Sequence, residues 1–575
     1  MTEKIWQFQP EIPPKIAQNM GNYPLIVAQL LYNRGIKTKK EAEIFFNGDY
    51  RGNLNNPYLL KDLKKAVVRI KQAKEKQETI GIFGDYDADG VTATALLKEG
   101  FSKLGFKKII PYLPDRVKEG YGMNLKALGY LKKQGVNLII SVDCGVSNNE
   151  EIDWLKKQGI DTIVIDHHHP PDKLPKAIAI INPKQKDCPY PFKELTGVGL
   201  AFKFIQALIF NQIKDKKKQE QIEKWLLDLV AIGTIADCAP LTNENRILVK
   251  YGLIVLQKTK RIGLQKLFKI SGTNPSEINT NTVGFRIAPR INAAGRMDHA
   301  NHSLNLILTH DKREADQIAQ LLEAKNQSRQ NLTNQIFAEI KENLLKTDLK
   351  QKLIFTSKKD WPEGIVGLVA GKISEEFHRP TIIIQEKETE ATGSGRSIES
   401  FNIIKAITQC EKYLSHFGGH KQAAGFSLPR KNLAQFKKAI EKIANEKITA
   451  QDLQPTIKID GKITFPELTI EFAKLLEQFN PFGEANPKPN LLSENLIVRQ
   501  FNCLGADGNH LKLYLEQPDA HKPGQRYFSA IGFGMVEKCK ELNIGDKINL
   551  VFNLGINQWN EQEELQLEIV DLKKV

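Results

Sequence analysis

Three aspartates alternate within one short motif, GDYDADG. Asp85, Asp87 and Asp89 follow the apolar run Ile80 to Phe83, which predicts a buried strand. On an extended backbone alternate side chains point to one side, so we expect the three carboxylates to lie together. Unpaired carboxylates in such a place raise one another's pKa, whereas a divalent cation stabilises them. A solvated Asp-Gly turn explains this motif equally well, so the motif alone does not decide.

Acidic and imidazole side chains recur after three other apolar stretches. They are Asp143 after the run Val136 to Val142, Asp166, His167 and His168 after Ile160 to Ile165, and Asp237 in the helical stretch WLLDLVAIGTIADCAP. Each histidine taken singly can be a plain core residue, and His169 is expected to have no catalytic role. Together with the aspartates, His167 and His168 become candidate site residues. A neutral imidazole among carboxylates suits Mn²⁺ better than Ca²⁺, which prefers a site made of oxygen ligands only. Mg²⁺ is the alternative to Mn²⁺.

The elements that must position these residues follow the alternating pattern of an α/β fold. Four short apolar runs end at polar clusters, one of them being Ile109 to Leu113 before Pro114-Asp115-Arg116, and helical patterns separate them. Short connections of this kind predict a parallel sheet. In open parallel sheets ligands bind beyond the carboxyl ends of the strands, so we expect the polar clusters to converge on one edge.

Three later segments have different patterns. Asp311 to Thr347 contains neither Gly nor Pro and has helically spaced apolar residues around a polar middle, which predicts one long connector helix between two domains. A second α/β unit is predicted from residue 350 to 450, with the glycine-rich loops GSGRS and GGHKQAAG. After Pro455, alternating apolar residues such as Leu511 and Leu513 predict a small antiparallel barrel.

Composition indicates a multidomain protein with a polyanionic partner. The 575 residues are enough for about three to five folding units. With 82 Lys and Arg against 67 Asp and Glu, the net charge of +15 favours nucleic acid, although runs such as Lys214 to Lys218 also occur on ordinary solvated surfaces. Six cysteines without a CxxC pair argue against a zinc knuckle and a disulfide framework. With no signal-peptide pattern and no long apolar run, we expect a cytoplasmic protein without membrane contact.

The four motifs together resemble those of a known family. DYDADG, VDCG, DHHH and GTIADCAPL, in this order, are similar to the signature motifs of the DHH phosphoesterase superfamily. Within it the chain resembles the RecJ family of single-stranded-DNA-specific exonucleases, and the resemblance continues through PRINAAGRM, GSGRS, FGGHKQAAGF and the barrel-like end. It implies an α/β multidomain protein with an N-terminal region and DHH catalytic domain containing the parallel sheet over residues 1–310, a connector helix over 311–347, a DHHA1-type α/β domain over 348–450 and an oligonucleotide-binding (OB) fold β-barrel over 451–575.

The resemblance also implies two metal ions and their ligands. The implied ligands are Asp89, Asp143, His167 and Asp237 for one ion, and Asp87 with the shared Asp143 for the second. Asp85 either binds a metal ion directly or orients one of the ligands without binding the metal. His168 contacts the scissile phosphate or stabilises its charge. Two Mn²⁺ ions, or Mg²⁺ in their place, would lie about 3.5 to 4 Å apart and promote an in-line displacement at phosphorus. The implied reaction is 5′-to-3′ hydrolysis of single-stranded DNA to 5′-mononucleotides, in DNA repair and recombination.

Further residues are implied to hold the DNA strand. They are Arg116, Ser394 and Arg396 for a terminal 5′-phosphate, Arg296 and Gln327 for the phosphates near the scissile bond, and His420 as an additional donor. Arginine forks and hydroxyl groups match the charge and geometry of a terminal phosphate. Each arginine could equally form a surface ion pair. Pro362 stands where relatives often have His, so no role is assigned at that position.

The barrel is implied to bind bases by stacking. A basic groove with aromatic platforms gains about 1 to 3 kcal/mol per stacked base. Candidates by residue type are Phe501, Tyr514, Tyr527, Phe528 and Trp559. Because a small barrel also needs aromatic residues in its core, sequence alone does not say which of these rings face outward.

Two other classes of function compete with an exonuclease. One is a phosphoesterase of the same superfamily acting on oligoribonucleotides or cyclic dinucleotides, which would not need the terminal barrel. The other is a non-catalytic binding protein, like relatives that have lost the metal ligands, but here the ligands are intact. The family implies single-stranded DNA with a 5′ end as substrate, a helicase and single-strand-binding protein as partners, and action as a monomer.

Overall fold

A computed structural model describes residues 4–346, 350–505, 508–518, 527–559 and 562–575. Its strands, in chain order, are β1 Ile5–Phe8, β2 Thr79–Gly84, β3 Ile109–Tyr112, β4 Val136–Val142, β5 Asp161–Ile165, β6 Ala179–Ile181, β7 Ile354–Lys358, β8 Thr381–Glu386, β9 Glu390–Arg396, β10 His416–Gly419, β11 Ala423–Pro429, β12 Thr456–Ile459, β13 Gly461–Lys462, β14 Leu491–Leu504, β15 His510–Glu516, β16 Tyr527–Gly532, β17 Lys547–Trp559 and β18 Gln562–Lys574.

Helices connect most of these strands. They are α1 Pro14–Asn19, α2 Leu25–Asn33, α3 Lys39–Asn47, α4 Leu63–Glu75, α5 Ala88–Lys103, α6 Leu125–Lys133, α7 Asn149–Lys157, α8 Gly197–Gln212, α9 Lys216–Lys224, α10 Leu227–Ala236, α11 Asn243–Gln257, α12 Ile262–Ile270, α13 Thr280–Thr282, α14 Ala288–Met297, α15 Asn301–Leu308, α16 Lys312–Leu345, α17 Glu363–Phe377, α18 Ile403–Thr408, α19 Leu433–Lys447, α20 Ile470–Glu477 and α21 Val536–Cys539. Among the described residues, no helix combines the length and the apolar character needed to cross a bilayer.

The chain divides into two compact units. The first contains residues 55–239 and 251–455, and the second contains residues 4–54, 240–250 and 456–575. Three separate stretches of sequence therefore build the second unit. The domain boundaries expected at residues 310, 347 and 450 stay a prediction.

The predicted parallel sheet is confirmed in the first unit. Its strand order is β3-β2-β4-β5-β6, and every neighbouring pair is parallel. Ile82 lies opposite Ile140, and Ile140 lies opposite Ile163, so the apolar runs of the sequence form the middle of the sheet. These isoleucines are completely buried. The carboxyl ends of the strands, where the polar motifs follow, consequently meet at one edge.

A long helix and a second sheet complete the first unit. Helix α16 contains 34 residues, and the Asp311 side chain caps it by accepting hydrogen bonds from the backbone N–H groups of Arg313 and Glu314. Thr347, the expected last residue of the connector, lies outside the described residues. The second sheet has the order β10-β11-β9-β8-β7, in which only β7 and β8 are parallel.

The predicted barrel is confirmed in the second unit. Strands β14, β15, β16, β18 and β17 follow one another around it, and pairing of β14 with β17 closes it. Inward-facing leucines such as Leu511 and Leu513 are completely buried. Among the candidate stacking residues, Tyr527 is 57% exposed and Phe528 is 9% exposed, whereas the side chain of Trp559 lies outside the described residues.

Candidate active site

The expectation of an extended backbone throughout GDYDADG is wrong. Strand β2 ends at Gly84 and α5 begins at Ala88, so Asp89 lies in the first turn of a helix. Asp87 is the N-cap of that helix, and its Oδ1 accepts hydrogen bonds from the backbone N–H groups of Asp89 (2.9 Å) and Gly90 (3.1 Å). The turn from strand to helix, rather than strand alternation, therefore directs the three carboxylates.

The predicted metal ligands meet in three overlapping groups. Within each group the ligand atoms lie within 4.8 Å of one another, and the groups are Asp85 with Asp87 and Asp143, Asp89 with His167 and Asp237, and Asp143 with His167 and His168. Asp143 and His167 each belong to two groups. The ends of β2, β4 and β5 and of helix α10 thus bring these side chains to a single place at the sheet edge.

Helix α8 begins directly behind this cluster. The two carboxylate oxygens of Asp89 accept hydrogen bonds from the backbone N–H groups of Gly197 (2.7 Å) and Val198 (2.9 Å) at the start of the helix. A Cβ atom at Gly197 would lie 2.6 Å from the Cβ of Asp143, so only glycine fits there. The positive end of the helix dipole favours a carboxylate at this position and fixes its orientation.

The carboxylates repel one another strongly without a cation. Burial, followed by the charges of neighbouring aspartates, raises the pKa of Asp85, Asp89 and Asp143 well above the ordinary range. Burial and the charge of Asp87 raise the pKa of Asp237 to about 7. Among the described residues, no hydrogen-bond donor reaches the buried Oδ1 atom of Asp85. Buried carboxylates that repel one another in this way fit a divalent cation, whose charge takes the place of the protons.

His167 has the protonation state of a metal ligand. Its Nε2 lies 3.0 Å from Oδ1 of Asp143, and its Nδ1 lies 3.9 Å from Oδ2 of Asp237. Burial, followed by the charge of His168, lowers the pKa of His167 to about 3. A neutral imidazole between two carboxylates suits Mn²⁺ or Mg²⁺ with mixed oxygen and nitrogen ligands, as the sequence predicts.

His168, in contrast, carries a positive charge. Its ring Nδ1 lies 2.7 Å from Oδ1 of the completely buried Asp166 and 3.1 Å from the Tyr121 hydroxyl. Burial acts to lower the pKa of His168, but the hydrogen bond and charge of Asp166 outweigh it and raise that pKa to about 9. The imidazolium therefore lies beside the acidic cluster as a donor for an anionic group.

Three arginines, from the loop after β3, from α14 and from β9, lie near one another and near the acidic cluster. The Arg116 guanidinium lies 4.9 Å from the centre of the Tyr86 ring, and Nη1 of Arg296 donates to the Gly364 carbonyl at 3.1 Å. Burial, followed by the charges of Arg116, Arg329 and Arg396, lowers the pKa of Arg296 to about 9. Cations held this close together form a pocket that an anion would stabilise.

Strand β9 brings Ser394 and Arg396 to this pocket on one face of the strand. Nη1 of Arg396 donates to Oγ of Ser394 at 3.0 Å. Gly367 of α17 leaves room for both, because a Cβ atom there would lie 3.0 Å from Oγ of Ser394 and 3.2 Å from Nη2 of Arg396. Burial and the charge of Arg116 lower the pKa of Arg396, which places these two arginines near each other.

Of the remaining predicted residues, His420 lies near the acidic cluster and Gln327 lies on the exposed face of α16. The His420 ring stacks 6.3 Å from that of His168, so the FGGHKQAAG loop reaches the acidic cluster. Gln327 lies on the exposed face of α16, where Nε2 donates to Oδ1 of Asn331 at 2.9 Å. The structure brings His420 into the site, while a contact of Gln327 with DNA stays a prediction.

Three family models match this chain. They are the DHH family N-terminal domain over residues 79–234, the DHHA1 domain over residues 350–446 and the RecJ OB domain over residues 459–571. The single-stranded-DNA-specific exonuclease RecJ of Bacillus subtilis is 38% identical over 95% of this chain and 67% of its own length. The RecJ of Haemophilus influenzae is 33% identical over 97% of both chains.

The chain belongs to the RecJ exonuclease family. The crystal structure of RecJ from Thermus thermophilus in complex with Mn²⁺ matches with a TM-score of 0.82 at 28% identity, covering 99% of this chain and 80% of that chain. The Mg²⁺ complex of the same RecJ matches with a TM-score of 0.77 at 26% identity, over 99% of this chain and 78% of that chain. RecJ membership and the closed barrel exclude the competing small-substrate phosphoesterase, which would lack the terminal barrel.

Sequence reasoning missed several residues of this RecJ site. The sequence motifs assign no role to Asp166 or Tyr121, which both contact His168. Asn292 on α14 accepts a hydrogen bond from the backbone N–H of Ala88 at 2.8 Å, and Asn182 donates to the His168 carbonyl at 2.8 Å. The spacing of Asp166 and His168 could have suggested their pairing. Asn292 leaves no such local signal, because Ala88 is 204 residues away in the sequence.

Proposed function

We propose that this chain is a metal-dependent exonuclease that hydrolyses single-stranded DNA from its 5′ end to 5′-mononucleotides, in DNA repair and recombination. The observation that carries the proposal is that seven side chains form three overlapping groups at one sheet edge, with the ligand atoms of each group within 4.8 Å of one another. They are Asp85, Asp87, Asp89, Asp143, His167, His168 and Asp237. The single-strand specificity named for its RecJ relatives supports the choice of substrate.

The metal ions of this proposal are two Mn²⁺, with Mg²⁺ as the alternative. Asp89, His167 and Asp237 would hold one ion, Asp87 would hold the other, and Asp143 would bridge them. Asp85 lies in the group with Asp87 and Asp143. It would either ligate the second ion or orient those two side chains. When bound, two divalent cations lower the pKa of a coordinated water and neutralise charge on the phosphate.

The side chains of the protein would orient the phosphodiester and stabilise its charge. The imidazolium of His168 lies beside the acidic cluster and would donate a hydrogen bond to a non-bridging phosphate oxygen. Asp166 keeps this ring charged, and Tyr121 limits its rotation through the contact of its hydroxyl with Nδ1. Because positioning and charge stabilisation suffice for hydrolysis, no covalent protein nucleophile is needed.

The arginine pocket would select the 5′ end. Arg116, Ser394 and Arg396 offer guanidinium and hydroxyl donors that match a terminal phosphate, which carries more negative charge than an internal phosphodiester. Arg296, which lies near both Arg396 and Asp87, would bind the next phosphate, and His420 would add a donor. Gln327 on α16 would contact the strand further along. Occupation of the pocket by the end would fix the direction of hydrolysis.

The barrel would bind the single strand by base stacking. Tyr527, whose ring is 57% exposed, is the candidate stacking residue that the structure favours over Phe528, which is 9% exposed. We extend the proposal to action as a monomer in the cytoplasm, with a helicase that supplies single strands and a single-strand-binding protein. The domain boundaries at residues 310, 347 and 450 are part of the same proposal.

Labelled single-stranded DNA tests the proposal directly. Purified protein is incubated with oligonucleotides labelled at the 5′ or the 3′ end, in Mn²⁺, Mg²⁺ or chelator. We expect metal-dependent release of labelled mononucleotide from the 5′ label at once, while the 3′ label stays in a shortening strand. Asp143→Ala should abolish hydrolysis, whereas Asp172→Ala, at an exposed aspartate after the DHHH motif, should not. Initial release from the 3′ end, or undiminished activity of Asp143→Ala, would contradict the proposal.

A further inference from the structure

A phenylalanine lies unusually exposed on the helical segment that enters the site. Phe285 is 78% exposed, although it belongs to a well-packed part of the first unit. Single exposed apolar residues are common on protein surfaces and need no function. The position of Phe285 relative to the acidic cluster and to nearby arginines is what distinguishes it.

The segment around Phe285 is a continuous helical run that ends just after Arg296 of the arginine pocket. Helix α13, the π-helix Val283–Ile287 and α14 follow one another without interruption. Single-turn π-helical segments within helices occur frequently at functional sites. On this run Phe285 precedes Asn292 by seven residues and Arg296 by eleven.

The C-terminal part of this run reaches the site. Asn292 accepts a hydrogen bond from the backbone N–H of Ala88, beside Asp87 and Asp89, and Arg296 belongs to the arginine pocket. From Phe285 to Arg296 the helical run rises about 16 Å, at about 1.5 Å per residue. Phe285 therefore lies a few nucleotide lengths from the arginine pocket.

The π-helical segment also lies close to helix α10. A methyl group at Gly284 would lie 3.8 Å from Cγ2 of Ile235 in α10. Helix α10 ends at Ala236, immediately before Asp237 of the acidic cluster. Phe285 thus projects from a segment that packs beside a predicted metal ligand.

The surroundings of Phe285 suit a nucleotide. The adjacent Arg286 is exposed and donates to the Gly272 carbonyl at 3.4 Å. An open pocket beside the ring is lined by amide, hydroxyl and guanidinium groups and one carboxylate, chiefly from Thr273, Asn274, Glu277, Asn279 and Arg286. Amides can pair with base edges, an aromatic ring can stack on a base, and a guanidinium can bind a phosphate.

We infer that Phe285 is a stacking platform for an unpaired base of the single-stranded DNA substrate, on the 3′ side of the scissile phosphate. This inference rests on the proposed function, which places the 5′ end at Arg116, Ser394 and Arg396. The strand then leaves the acidic cluster along α14 and passes Phe285. A base within a duplex has both faces covered by its neighbours, so this platform accepts only single strands and contributes to substrate selection.

Steady-state kinetics with oligonucleotides of increasing length tests the inference. Phe285→Ala should raise the KM for a 20-nucleotide strand about fivefold or more, since stacking of one base is lost. The effect should shrink as the substrate is shortened to a dinucleotide, which does not reach Phe285. Phe285→Trp should restore the KM to near the original value. The matched control is Phe210→Ala, at another exposed phenylalanine of the same unit, and it should leave the KM unchanged.

A fluorescence measurement separates this inference from the proposed function. With chelator present, 2-aminopurine placed a few nucleotides from the 5′ end should be quenched by the unsubstituted chain and by Phe285→Trp, but not by Phe285→Ala. If the unsubstituted chain quenches the probe yet does not hydrolyse DNA, the proposed function fails and the platform stands. An equal loss on the dinucleotide and the 20-nucleotide strand, or an unchanged KM and quench in Phe285→Ala, would overturn the platform. An unchanged KM and quench would indicate instead that the exposed ring of Phe285 contacts another macromolecule.

Discussion

Asp166 controls the charge of His168 although it lies outside the three groups of metal-ligand atoms. Its Oδ1 accepts hydrogen bonds from the backbone N–H of His168 (3.1 Å) and from ring Nδ1 (2.7 Å), and its Oδ2 accepts one from the Val146 backbone N–H (2.9 Å). The carboxylate is completely buried, yet the contacts from His168 keep its pKa below the ordinary value despite that burial. One side chain thus fixes both the orientation and the protonation of its neighbour.

Asp166→Asn should reduce hydrolysis by making His168 neutral. In the unsubstituted protein the pKa of His168 is about 9, so the ring stays charged below that pH. Without the carboxylate the ring should titrate near its ordinary value of 6.5, so about a quarter of the protein would keep the imidazolium at pH 7 and kcat/KM there should fall about fourfold or more.

The pH profile distinguishes this role from a merely structural one. The deficit of Asp166→Asn should grow as pH rises from about 6 to 9, because only the substituted protein loses the imidazolium in that range. Asp172→Asn is the control at an exposed aspartate and should follow the original profile. A deficit that is constant with pH would contradict control of the His168 charge by Asp166.

At the scale of elements, Arg246 ties distant segments of the second unit together. It lies on α11, is 2% exposed and donates to the backbone carbonyl of Phe45 and to the carbonyls of four successive residues, 478 to 481. Its guanidinium also lies 3.8 Å from the centre of the Phe45 ring. The end of α3 and the turn after α20 are joined through this one side chain. Burial, then the charge of Arg34, lowers its pKa to about 9.

Arg246→Met should destabilise the second unit strongly. Several buried carbonyl groups would lose their donors, and the expected decrease in the free energy of unfolding is about 3 to 5 kcal/mol. Hydrogen exchange followed by mass spectrometry should accelerate in residues 478–481 and in the barrel strands. Arg51→Met, at an exposed arginine of the same unit, should leave exchange unchanged, and equal behaviour of the two variants would refute the role of Arg246.

At the scale of the whole molecule, the acidic cluster links stability to pH and to divalent cations. Folding raises the pKa of Asp237 from an ordinary 3.8 to about 7. A carboxyl group with a raised pKa stabilises the folded state while it is protonated, so this contribution is lost as pH rises through about 7. A cation bound in place of the proton removes the repulsion and restores stability.

The metal-free protein should therefore unfold at a lower temperature as pH rises from about 6 to 8. Added Mn²⁺ should raise the unfolding temperature more at the higher pH, with proton uptake by the buffer measurable by titration calorimetry. Asp237→Asn should weaken this pH dependence because it removes one of the titrating groups. A metal-free protein whose unfolding temperature is constant or rises over this range would contradict the linkage.

The sequence by itself determined the sheet, the barrel and the composition of the site. Apolar runs such as Val136 to Val142 can only form buried strands in this context, and the carboxyl ends of parallel strands necessarily share one edge. Residues that follow those ends, such as Asp143 and His167, are therefore near each other whatever the details of packing. The long helix was equally predictable because its periodicity is local.

The tertiary structure alone decided the contacts that join distant positions. Arg246 and Asn480 are 234 residues apart in the sequence, and no local pattern connects them. The helical start at Ala88, which turns Asp89 away from an extended path, depends on caps and on the packing of α8 against the carboxylates. Propensity and periodicity describe a segment and its buried face. Which partner that face meets depends on packing across the whole chain, and only the folded structure shows it.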